Sequence, residues 1–90
     1  MTVSLESRPA LARGSRLQFD EVRGDHNLLF PEGVVRLNST AVEVLGLCDG
    51  TRTVAAIIDL LQEKYVGADI AADVRELIAS IAATGLIVVD

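Results

Sequence analysis

Ninety residues, half of them apolar and with Tyr65, Phe19 and Phe30 as the whole aromatic complement, describe one small domain with an aliphatic core and exclude a disordered tail. The formal charge of −5 lies in the second half: residues 1–36 are balanced, whereas residues 37–90 set Arg52, Lys64 and Arg75 against eight carboxylates. That sign disfavours a phosphate backbone and an acidic lipid surface as partners, so neither nucleic acid nor membrane is expected.

Residues 1–14 show no period and contain Pro9 and Gly14. They are expected to form an irregular arm, strapped onto the domain at 15–90 or onto a neighbour. The stretch SRLQFDEV alternates, with Leu17 and Phe19 on one face, and reads as a half-buried strand. Gly24-Asp25 marks a turn, and HNLLF follows as a second strand with Leu28 and Phe30 on one face. Pro31-Glu32-Gly33 is a turn signal. The third strand, VVRL, can turn Val35 and Leu37 inward and leave Val34 and Arg36 outside. Three short strands with short connections suggest an antiparallel meander.

The period then changes to that of a helix. Thr40 with Glu43 fits a capping box, with Asn38 as the competing cap. Ala41, Val44, Leu45 and Cys48 form one face, and Gly50 is expected to stop the helix in a left-handed conformation. Thr53 can cap a second helix with the stripe Val54, Ile57, Ile58, Leu61 and Tyr65, ended by Gly67. Asp69 is expected to cap a third, with the stripe Ile70, Val74, Leu77, Ile78 and Ile81, closed by Gly85. Leu86 to Val89 reads as a fourth strand or a plug. The fold class is therefore α+β: a three-stranded antiparallel sheet followed by three helices, in a winged helix-turn-helix-like layout.

The side chains offer little catalytic chemistry. Cys48 falls at a helix C-terminus, on the buried stripe and beside Asp49, and all three oppose a thiolate. His26 opens a strand, and nothing in the pattern brings it to Cys48 as a nucleophile pair would require. Asp73 and Glu76 share a helical face that reads as solvated. One cysteine and one histidine make no zinc cluster, and no phosphate or dinucleotide loop appears. A non-enzymatic chain without metal or cofactor is expected. The most apolar stretch, Leu77 to Val89, is interrupted and far short of the roughly 20 residues that span a bilayer, and the N-terminus lacks a signal-peptide core. A cytoplasmic location is expected.

Binding is what remains. The third helix offers Arg75 alone against Asp69, Asp73 and Glu76, poor chemistry for a DNA groove. The third strand is different. In a sequential meander it is an edge with unpaired N–H and C=O groups, and an extended peptide can add there as a further strand. The third helix could form the other wall of that groove. Asp73, Leu77 and Ser80 flank one side of its stripe, while Ala71, Arg75, Ile78 and Ala82 flank the other. The spacing leaves open which side faces the strand. It also leaves open an edge covered by the arm or by a second copy.

RLQFD, LLFPEGVVRLNSTA, LCDGTRTVAAII and DVRELI, in this order, resemble the PqqD family of pyrroloquinoline quinone biosynthesis, from about Arg16 to Leu86. The resemblance implies a cofactor-free recognition element for ribosomally made peptides. Such a peptide chaperone binds the precursor PqqA and presents it to the radical S-adenosylmethionine enzyme PqqE. It further implies a peptide added beside the third strand and lying against the third helix. The groove would be formed by Val34, Val35, Arg36 and Leu37 with Asp73, Arg75 and Leu77. The Val35 amide would be a test of strand pairing, provided that it faces the peptide. The rival readings are a winged-helix DNA binder and a structural dimerisation module. The protein is expected to be a monomer or a homodimer.

Overall fold

A computed structural model describes residues 3–89. The ends of the expected arm and domain, residues 1, 2 and 90, lie outside the described residues. Along the chain run β1 (Ala10–Leu11), β2 (Arg16–Asp20), β3 (Asp25–Phe30), β4 (Gly33–Leu37), α1 (Ser39–Gly46), α2 (Val54–Lys64), α3 (Ala71–Ala83) and β5 (Ile87–Val88). The expected meander is present as an antiparallel sheet in the order β2-β3-β4. The expected fourth strand is β5, which pairs antiparallel with β1 inside the arm.

The register settles which way each side chain and each backbone group points. Leu17, Leu28 and Val35 stand in one cross-strand row, and Phe19, His26 and Leu37 in another on the same face. α1 packs against all three strands. Leu28 is fully buried and Leu37 nearly so, whereas Phe19 sits at the rim, half exposed, with its ring 4.7 Å from that of His26. The lone histidine thus packs at a tilt of 44° against an aromatic neighbour. On the opposite face Arg36 lies 3.6 Å from Asp25.

The helices follow the apolar spacing, but three of their expected ends differ. Asn38, rather than Thr40, caps α1: its side-chain oxygen accepts the Ala41 N–H at 2.7 Å. Glu43 is not part of a capping box because its carboxylate accepts bonds from Tyr65 Oη at 2.8 Å and Lys64 Nζ at 3.0 Å. α1 ends at Gly46 without a left-handed residue. Gly50 takes its φ of +84° in the corner beyond, where its N–H donates to the Pro9 carbonyl. A Cβ there would come 3.4 Å from that of Ala10. Asp69 does not cap α3; Ile70 occupies the N-cap position with no side-chain bond.

Thr53 does cap α2, accepting from Ala56 N–H at 3.1 Å. The two preceding free amides of that helix, on Val54 and Ala55, donate to the Ser7 and Leu5 carbonyls of the arm. Backbone capping is how a helix start satisfies donors that have no intrahelical partner, and here it straps the arm down. Val3, near its beginning, is buried. The interior is aliphatic: Leu28, Val44, Leu45, Val54, Ile57, Val74 and Ile78 are all sealed, each stabilising the fold by about 1.5–3 kcal/mol through burial. Among the described residues no polar or charged side chain is buried, and no helix is long and apolar enough to cross a membrane.

Candidate functional site

Val34 to Leu37 form an outer strand of the three-stranded sheet. Phe30 and Gly33 are partners across a two-residue turn. Partners that flank so short a turn must exchange both backbone hydrogen bonds, and along an antiparallel pair bonded and non-bonded partners alternate. Val35 and Leu37 therefore bond inward to β3, whereas the N–H and C=O groups of Val34 and Arg36 point away from the sheet. No other described backbone group meets them. The Val35 amide consequently fails the condition set for it as a reporter of strand addition; Val34 and Arg36 are the positions that carry free groups. The side chains at this edge are open as well, with Val34 58% and Val35 38% exposed.

Where β4 passes into α1, a hollow of about 270 Å3 opens, lined by Asn38, Thr40, Ala41, Asp73 and Leu77. The structure thus brings Asp73 and Leu77 to the end of the exposed strand. Arg75 is placed on the other flank of α3. Its guanidinium donates to the Val3 carbonyl at 3.1 Å, and it lines a separate, wider hollow of about 550 Å3 with Ala72, Glu76, Ala79 and Ser80. Ser80, grouped with Asp73 and Leu77 by the helical wheel, also lines that second hollow. Asn38, Thr40 and Ala41 were not foreseen as neighbours of α3. Their one signal is position: the helix begins immediately after Leu37, so its first turn cannot be far from the strand end.

The remaining reactive types are quiet. Cys48 is buried, and burial, followed by the charge of Asp49, pushes its thiol up to about 12; its Sγ donates to the Val44 carbonyl. Asp49 is held below the usual carboxylate range by the side chain and amide of Thr51, which makes it the brace of the corner between α1 and α2. Among the described residues no group of His, Cys, Asp and Glu could hold a metal.

An antiparallel sheet followed by three helices, with free groups along its outer strand, defines a small α+β domain of the winged helix-turn-helix kind. The chain belongs to the PqqD family: the family model described as "Coenzyme PQQ synthesis protein D (PqqD)" matches residues 25–87. It is similar to the "PqqA binding protein" of Rhodopseudomonas palustris (strain BisB5), 46% identical over 89 residues that cover 97% of this chain and 87% of the relative. A protein of the same name from Pseudomonas aeruginosa (strain UCBPP-PA14) is 52% identical over 62 residues, 69% of this chain and 67% of the relative. Among solved structures, the PqqD truncation of Methylobacterium extorquens PqqCD superposes with a TM-score of 0.74 at 43% identity, covering 89% of this chain and 87% of that one. It is described as a functional, stand-alone recognition element for ribosomally synthesised and post-translationally modified peptides. PqqD from Xanthomonas campestris matches with a TM-score of 0.56 at 40% identity, over 94% of this chain and 97% of that one.

Proposed function

We propose that this chain is a non-catalytic peptide chaperone of pyrroloquinoline quinone biosynthesis. It binds the ribosomally made precursor PqqA and presents it to the radical S-adenosylmethionine enzyme PqqE. Family membership and the names of the relatives support the peptide ligand. The observation that carries the binding mode is the open edge of β4, whose outward groups on Val34 and Arg36 have no backbone partner among the described residues. A segment of precursor adds there as a strand, its backbone supplying affinity and the neighbouring pockets specificity. The proposed groove comprises Val34, Val35, Arg36 and Leu37 with Asp73 and Leu77. Arg75 stands outside it, occupied by the arm.

The role follows from chain entropy. A free precursor segment is disordered and orders at a cost on binding. Pairing one segment with β4 leaves the residues to be modified free, and tethering raises their effective concentration at the enzyme. The acidic outer side of α3, with Asp73 and Glu76 exposed, argues against the DNA-binding alternative. Titration of isotope-labelled protein with PqqA peptide tests the reading. Amide shifts are expected at Val34 to Leu37 and around Asp73. Shifts confined to α2 would overturn the groove.

A further inference from the structure

We propose that the hollow between the starts of α1 and α3 is a side-chain subsite that selects a lysine or arginine of the bound peptide. The inference rests on the strand-addition reading above and adds to it a residue preference that the edge alone does not supply. Backbone pairing along Val34 and Arg36 is indifferent to sequence. Whichever way an added strand runs, alternate side chains fall on the face of Val35 and Leu37. The one beside Leu37 lies at the mouth of the hollow, because the chain passes from Leu37 through Asn38 directly into its wall.

The lining decides what that side chain is. Ala41 and Leu77 give an apolar floor for an aliphatic stem, and Asp73 is the one charged residue of the lining. Asp73 is exposed and takes part in no ion pair with any described residue. The Thr40 hydroxyl offers a further acceptor. A contrary influence comes from the first turn of α1, whose free amides carry a partial positive charge. That charge is about half an elementary unit, it is partly met by the Asn38 side chain on the Ala41 amide, and the Asp73 carboxylate outweighs it. A long side chain with an apolar stem and a cationic tip matches both parts of the site. The excess of carboxylates over residues 37–90 draws such a segment in from a distance.

The test is a panel of PqqA peptides in which each residue in turn is replaced by Lys and by Glu, measured against the full chain and its Asp73→Asn, Asp73→Lys and Asp69→Asn variants. At one peptide position the unsubstituted protein should prefer Lys over Glu by about fivefold or more, the scale of an exposed charge pair. Asp73→Asn should remove that preference and Asp73→Lys reverse it. Asp69→Asn, an exposed acid just before the same helix, should leave it intact, and added salt should shrink it. A flat panel, or a preference that Asp69→Asn removes as readily as Asp73→Asn, overturns the subsite while leaving strand addition standing. Failure of the unsubstituted protein to bind the parent peptide removes the peptide reading and the subsite together.

Discussion

On one flank of α3, Asp73 and Leu77 border an open hollow beside the start of α1. On the other, Arg75 reaches across to the Val3 carbonyl and helps to hold the arm. A single residue separates Asp73 from Arg75 in the chain, yet the first makes no ion pair with any described residue and the second is spent on the fold. The difference shows that α3 has an open side and an anchoring side, divided by the buried stripe Val74, Ile78 and Ile81. Charge alone does not sort them, since both flanks carry exposed carboxylates.

The largest expected effect strikes what the two flanks share. Ile78 is fully buried, and Ile78→Ala should destabilise the domain by about 2–5 kcal/mol through lost burial and the cavity left behind, read as a lower midpoint in urea. Both the open flank and the strapped one should lose order together. If instead the arm alone loosens, the flanks do not rest on a common core.

A smaller effect separates the inner and outer groups of β4. Val35→Pro deletes an amide bonded to β3 and should cost about 1–3 kcal/mol by leaving its carbonyl partner unmet. Val34→Pro deletes an outward amide and should cost little stability, since proline is tolerated on strand edges. It should nevertheless weaken PqqA binding. Equal melting temperatures for the two variants would contradict the assigned alternation.

Arg75→Ala sharpens the contrast between flanks directly. Losing its bond to the Val3 carbonyl should cost about 1 kcal/mol. Amide exchange should speed up in the arm and at Val54 and Ala55, the amides that the arm caps. Peptide affinity should hold. A loss of affinity without faster exchange would return Arg75 to the groove.

The smallest effect concerns Glu43, away from both flanks. Bonds from Tyr65 and then Lys64 hold its carboxyl below the ordinary value of 4.5. A carboxylate lowered in the folded state adds stability above its unfolded value and loses it as pH falls through the folded one. Glu43→Gln should therefore lower the melting temperature slightly at pH 7 and hardly at all at pH 3. An equal drop at both would show that the charge is not what Tyr65 and Lys64 recognise.

Much of this was legible in the residues because it is local. Alternation marked the three strands and their inward faces, and a 3.6-residue period marked the helices. The same period placed Cys48 in the core, where desolvation makes it inert. PEG, LN-x-TA and the DG turn, taken in order, pointed to the family. Phe19 and Val35 are the exceptions among strand residues: both keep the inward face, yet they are 50% and 38% exposed, a limit that alternation does not report.

Other features required the tertiary structure. Thr40 with Glu43 satisfied the local rule for a capping box, but Tyr65 and Lys64, distant in sequence, claim the Glu43 carboxylate, and Asn38 takes the cap. Arg75 and Asp73 were equivalent neighbours of a buried stripe until the arm occupied one side. The arm itself has no period because, beyond local turn bonds such as Ser7 N–H to the Ser4 carbonyl, its bonds go to the start of α2, to Gly50 and to β5. Sequence by itself determined which residues turn inward, since burial of apolar side chains acts on each element's own period. Only the tertiary structure decided which polar groups remain free, because a hydrogen bond is won by whichever partner the packing brings within reach.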